Sequence, residues 1–260
     1  MPWIQWSLLV RELNMAKTAR NETNFPTRLQ VWDVPVRLFH WLTVLAFAVL
    51  WYSGSVGGMD MDLPLPGGKS LYLSNMDVHM WLGQLVLTLV IFRILWGVVG
   101  SSTARFSSFL RGPRAVLDYV KAFVRGETPL TAGHNAGGGW MVVALLLLLA
   151  AQAITGLFAN DDLFSEGPLA HLVSSETSGN LTQLHVLLFN VLLGAILLHI
   201  LAVLSYVFRG KNLIGAMVTG RKPEALVPPE ERAGLRMVSV WRALVLLAIS
   251  ILIVWSLHGL

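Results

Sequence analysis

Apolar and polar positions alternate in long blocks rather than in a short period. Five stretches are dominated by Leu, Val, Ile, Ala, Phe and Trp: Leu38–Tyr52 with its flanks, Met76–Val99, Trp140–Phe158, Leu181–Phe208 and Val240–Leu257. Each is closed by small or polar residues, such as Ser53-Gly54, Gly100-Ser101-Ser102, Asn160-Asp161-Asp162, Arg209-Gly210-Lys211 and Gly259. A helix of about 20 apolar residues crosses a hydrocarbon core, so each stretch predicts a transmembrane helix. Between them, Gly57–Ser74 is rich in Gly and Pro and predicts a loop over the outer face. Ala115–Phe123 predicts a short amphipathic helix on the membrane surface.

Charge assigns the sides. All of the 19 Lys and Arg residues except Lys69 fall before the first stretch, after the second or between the fourth and the start of the fifth, where Arg242 lies, with Arg93 near the inner end of the second. Lys69 lies opposite, among Asp60, Asp62, Asp77, Asp161, Asp162, Glu166 and Glu176. The positive-inside rule then puts the N-terminus in the cytoplasm and the C-terminus in the periplasm. The net charge of +4 is therefore a property of cytoplasmic loops and not of a nucleic-acid surface. Only 13% of residues are charged, where a soluble domain carries about 25%. The fold class predicted is an all-α integral membrane protein with five transmembrane helices, in a bacterial inner membrane. Residues 1–30 form a cytoplasmic arm without the order of a signal peptide, and Met15 is a second candidate start. Residues 31–220 form the main transmembrane domain, with helices at about 38–55, 76–99, 140–158 and 181–208; residues 221–260 form an inner loop and a fifth helix at about 240–257.

The absence of cysteine excludes disulfides, thiolate metal sites and covalent haem. Histidine carries the candidate chemistry, because an ionisable group inside a span is costly and marks function. His40 lies near the inner end of the first span and His79 near the outer end of the second; the fourth holds His185 and His199. The last two are 14 residues apart, so they share a helix face within about 40° and are separated by about 21 Å. Depth pairs His79 with His185 outside and His40 with His199 inside. Two bis-histidine sites stacked across a bilayer are what two noncovalent b-type haems require. Gly83, one turn from His79, would let a flat macrocycle approach, and Arg37 and Arg93 are placed to receive haem propionates. His134 has two readings, a cap for the third span or a proton carrier for quinone. His171 and His258 read as surface residues, and the ten Trp and four Tyr as mostly interfacial belts.

These residues stand in a recognisable setting. Trp32-Asp33-Val34-Pro35-Val36-Arg37-Leu38-Phe39-His40-Trp41 resembles the opening motif of the bacterial cytochrome b561 family, which includes the cytochrome b subunits of nickel–iron hydrogenases. His79 to Gly83, Arg93-Ile94-Leu95-Trp96-Gly97-Val98-Val99-Gly100 and Ala104-Arg105-Phe106 resemble its second helix and exit loop, and the His185/His199 spacing its fourth helix. Gly133-His134-Asn135 and Asn160-Asp161-Asp162 are also similar, although many relatives have proline where this chain has Ala136. The resemblance covers roughly residues 30–220. It implies a di-haem four-helix bundle with His40, His79, His185 and His199 as ligands. It also implies electron transfer between the quinone pool, with a quinone bound at a haem edge, and a periplasmic redox protein. A c-type cytochrome is the favoured partner and a hydrogenase the less favoured one. The acidic segment Asp161–Glu166 is a candidate face for that partner. Two rivals remain: a superoxide:quinone oxidoreductase, which an acidic outer face disfavours, and a histidine-based transporter or proton relay without haem.

Overall fold

The computed structural model describes residues 27–161 and 165–257; the expectations for the N-terminal arm before residue 27, for residues 162–164 and for His258 lie outside the described residues. In chain order the helices are α1 (Val34–Ser55), α2 (Asn75–Val99), the single-turn α3 (Phe106–Phe109), α4 (Pro113–Val124), α5 (Ala136–Leu157), α6 (Ser175–Phe208), α7 (Leu213–Thr219), α8 (Pro229–Arg232) and α9 (Val240–Ser256). Four of these, α1, α2, α5 and α6, are long and apolar enough to cross a membrane. The predicted fifth span is α9, which has 17 residues and is the shorter element.

Caps explain why the helices outrun their apolar runs. Asn135 accepts the Gly138 amide and starts α5 four residues before Trp140; Ser174 accepts the Thr177 amide and starts α6 six residues before Leu181. Helix begins where the orphan amides find an acceptor, whereas hydropathy marks only where lipid begins. The Gly57–Ser74 loop is more ordered than its composition predicts. β2 (Met61–Leu65) and β3 (Lys69–Leu73) pair antiparallel, and Gly67 and Gly68 take positive φ in the turn between them. A second ladder joins β1 (Arg28–Gln30) to β4 (Arg221–Pro223), tying the chain before α1 to the segment after α7. The amphipathic helix is present as α4, its Leu117, Val120 and Val124 turned outward.

α1 packs on α2, α5 on α6, and α2 on both α5 and α9. Neither α1 nor α2 packs closely on α6 among the described residues. Halfway along, Phe47 of α1 and Phe189 of α6 stack with centroids 6.2 Å apart and fill that separation. A mid-bundle core draws Ala46, Val86, Val90, Leu149 and Leu192 from the four long helices. The largest core lies at the end rich in Lys and Arg, where Val31, Trp32, Val36, Phe92, Trp96, Ala104, Ala132, Ala216, Val227 and Ala243 meet. Trp32 and Trp96 are thus core residues and depart from the interfacial belt expected of tryptophan. Small residues allow this closure: a Cβ on Gly97 would meet Phe106 at 2.1 Å, and one on Gly139 the Phe109 carbonyl at 2.9 Å.

Asp33 organises that core. Its Oδ1 accepts the Val36 amide at 2.8 Å and its Oδ2 accepts the Trp96 indole N–H at 2.9 Å, joining the start of α1 to the end of α2. Asp33→Ala is expected to lower stability by about 3 kcal/mol, the sum of a lost cap and a lost buried bond to a charged acceptor. Asp33→Asn keeps the cap but turns an amide donor toward the indole, and is expected to cost about half as much. Thermal unfolding in detergent measures both.

Candidate functional site

The four span histidines form two pairs, one at each end of the long helices. At the acidic end α2 is pinned by a reciprocal cap, in which Ser74 Oγ accepts the Asp77 amide and Asp77 accepts the Ser74 amide. One turn on, His79 faces His185 of α6, with ring centroids 6.3 Å apart and planes at 71°. Two imidazoles binding one metal ion from opposite sides, through bonds of about 2 Å, have ring centres about 6 Å apart.

Both rings are oriented by their neighbours. The Ser53 hydroxyl donates to the Leu50 carbonyl at 3.2 Å, so its oxygen is free to accept from His79 Nδ1 at 2.8 Å. His185 Nδ1 donates to the Gln152 carbonyl at 2.9 Å, with Thr155 Oγ1 beside it at 3.2 Å. A hydrogen on each Nδ1 leaves the Nε2 lone pair for a metal. The Gln152 amide nitrogen stands 3.0 Å from His185 Nε2 and must turn aside for a ligand there. Behind the rings, a Cβ on Gly54 would lie 3.1 Å from His79 and one on Gly156 3.0 Å from His185. Gly83, expected to let a flat macrocycle approach, has open space where a side chain would begin. Among the described residues no three His, Asp or Glu side chains gather to hold a bare ion. Facing pairs suit instead a metal that brings its other ligands with it, as haem iron does.

At the basic end His40 of α1 and His199 of α6 lie within electrostatic reach of each other, and His40 Nδ1 is buried without a partner. Arg37 donates through Nη2 to the Val218 carbonyl of α7, while its Nε is buried and unpartnered. Arg93 is 2% exposed, donates through Nη2 to the Ala104 carbonyl at 3.1 Å and lies over the Phe106 ring, with Nη1 unpartnered. Unpaired nitrogens on both arginines fit an incoming carboxylate such as a propionate. His134 does not cap α5; Asn135 does. Its ring lies between Trp32 and Phe109, each centroid 4.7 Å away, with Nδ1 buried and unpartnered. Burial, and then the charges of Arg93 and Lys222, hold its pKa down to about 3. Burial pushes Lys222 down to about 8, and its ammonium donates to the Thr131 and Ala132 carbonyls at 3.1 and 2.9 Å.

His171 is exposed. Of the acidic segment, Asp161 and Glu166 line an open cleft of about 610 Å³ with Asp60, Asp77, Met76 and Met80. The residues that sequence reasoning missed are Ser53, Gln152, Thr155, Gly54 and Gly156. Gln152 carried a signal, since a lone amide in the apolar run before Gly156 needs a partner. Ser53 and Gly54 were legible only as punctuation.

Residues 31–220 match the family described as prokaryotic cytochrome b561. The chain belongs to this family. It is accordingly a multi-pass membrane cytochrome of the b type, an electron-transfer haem protein. Over 79 residues it is 37% identical to the "Probable Ni/Fe-hydrogenase 1 B-type cytochrome subunit" of Escherichia coli (strain K12), covering 29% of this chain and 33% of that protein. Over 149 residues it is 30% identical to the "Probable Ni/Fe-hydrogenase B-type cytochrome subunit" of Bradyrhizobium diazoefficiens, covering 53% of this chain and 58% of that protein. The chain thus spans less than two thirds of these relatives' lengths.

The His134 environment is testable in this cytochrome. The unfolded ring takes up a proton near pH 6.5 and the folded ring only near pH 3, so His134 weakens folding progressively as pH falls between those values. Its NMR signal in selectively labelled protein is expected to stay constant from pH 8 to about 5. A titration centred near 6.5 would contradict the burial described here.

Proposed function

We propose that this cytochrome carries electrons across the inner membrane through two bis-histidine haems, His79/His185 near the periplasm and His40/His199 near the cytoplasm. The observation that carries the reading is the His79–His185 pair: facing rings at metal-bridging separation, each with Nδ1 bonded behind it. When bound, haem b supplies a one-electron couple at its iron. The chain's own residues do the rest. His79 with His185 and His40 with His199 would each hold one haem iron, which favours electron transfer over oxygen chemistry. Among the described residues α6 packs closely on neither α1 nor α2, and the two histidine pairs lie on either side of the Phe47–Phe189 stack that joins α1 to α6. Arg37 and Arg93 neutralise propionates at the inner site.

The acidic cleft formed by Asp60, Asp77, Asp161 and Glu166 stands beside the outer pair and steers a basic periplasmic redox protein, most simply a c-type cytochrome. Two relatives are named as hydrogenase subunits, so a hydrogenase is the second candidate partner. The membrane quinone pool exchanges electrons at a lipid-facing edge of one haem. α9 serves as the fifth crossing and places the C-terminus outside.

Pyridine haemochrome analysis of the purified protein is expected to give two haems b per chain. His185→Ala should lose the outer haem and His199→Ala the inner one; two normal haems in either variant would refute the pairing. Because the chain has no cysteine, Gly259→Cys offers a single thiol for topology. It is expected to react with an impermeant maleimide added to intact spheroplasts, and labelling only after lysis would remove the fifth crossing.

A further inference from the structure

At the basic end, one histidine is built into the fold without a use for its ring nitrogen. His134 cannot swing, because Trp32 and Phe109 hold its ring from two sides. Its Nδ1 is sealed from water without a hydrogen-bond partner, a state that costs about 1–3 kcal/mol if nothing binds there. Arg93 Nη1 is orphaned in the same way, and the charge of Arg93 acts directly on the His134 ring. Lys222 adds a second buried cation whose protons are already given to two carbonyls.

Glu231, which accepts the Ala132 amide, lies within electrostatic reach of Lys222, and Asp33 within that of Arg93. Both oxygens of Asp33 accept other hydrogens, from the Val36 amide and the Trp96 indole. Two donor nitrogens beside the Arg93 charge, with Asp33 already engaged by other donors, suit an anion with acceptor oxygens. A carboxylate meets these conditions and adds negative charge beside the orphaned Arg93 nitrogen, which water or a carbonyl would not. His40 and His199 also act electrostatically on His134, so the receptor adjoins the inner histidine pair.

We propose that His134, with Arg93, anchors a propionate of the inner haem, so that the segment leading into α5 positions a cofactor whose iron is held by α1 and α6. This rests on the reading of His40 and His199 as haem ligands. His134 is here a positioning residue. Its N–H donates to the propionate, draws negative charge away from the iron and so favours the reduced state.

Two substitutions separate anchoring from packing. His134→Phe keeps the aromatic sandwich and removes the donor; His134→Gln keeps a donor and removes the ring. Anchoring predicts that the Phe variant retains the inner haem about tenfold less tightly and at a lower midpoint potential, while Gln stays near wild type and the outer haem is unmoved in both. Spectroelectrochemistry and haem-to-protein ratios after competition with apomyoglobin read these out. A Phe variant equal to wild type, or a Gln variant worse than Phe, overturns the proposal. A haem content unchanged by His199→Ala in the otherwise wild-type chain would instead overturn the ligand reading beneath it.

Discussion

The buried carboxylate of Asp33 is the contact on which the basic end of the molecule depends. It caps α1, which places Arg37 and His40 one and two turns into the helix, and it binds the indole of Trp96 at the far end of α2. A carboxylate with 3% exposure is tolerable only when its oxygens are satisfied. That requirement makes the start of one helix and the end of another a single unit. Arg93, three residues before Trp96, is carried into place by the same contact. The β1–β4 ladder, with Thr103 donating to the Val31 carbonyl and Lys222 to Thr131 and Ala132, then closes the loops over this unit.

The bundle below is uneven by design. α2 is packed against α1, α5 and α9, and it supplies more of the buried residues than any other long helix. α6 is the least enclosed of the four, and it carries a histidine of each pair. An electron carrier needs its cofactors fixed but separated from backbone by little more than a side chain. Gly54 and Gly156 meet the second need at the acidic end, since any side chain there would push on an imidazole. Ser53, Thr155 and the Gln152 carbonyl meet the first by holding each ring through Nδ1. The two ends differ in kind: the acidic end satisfies its histidines with hydrogen bonds, while the basic end leaves nitrogens of Arg37, His40, Arg93 and His134 unpaired.

Spacing along one helix is geometry that a sequence carries by itself. The 14 residues from His185 to His199 put two imidazoles on one face of α6, and apolar runs located the four long helices to within a few residues. Charge placement likewise separated a basic from an acidic end, because arginine and lysine cannot be left in lipid. The family could be read from local motifs for the same reason: the arginine and histidine of the first span sit one turn apart whatever surrounds them.

What only the tertiary structure decided concerns groups brought together from distant segments. Nothing in the order of residues says that Trp32 and Phe109 enclose His134, that Asn135 and not its neighbour caps α5, or that Gly54 and Gly156 back the rings. Nor does hydropathy distinguish a tryptophan in a membrane belt from Trp96, which is fully buried with its N–H on a carboxylate. Periodicity and composition act over a few turns, and they set the solvent, the helices and the histidine depths. Burial and hydrogen-bond satisfaction act across the whole fold, and they chose which of the polar residues became structure and which were left with a nitrogen to offer.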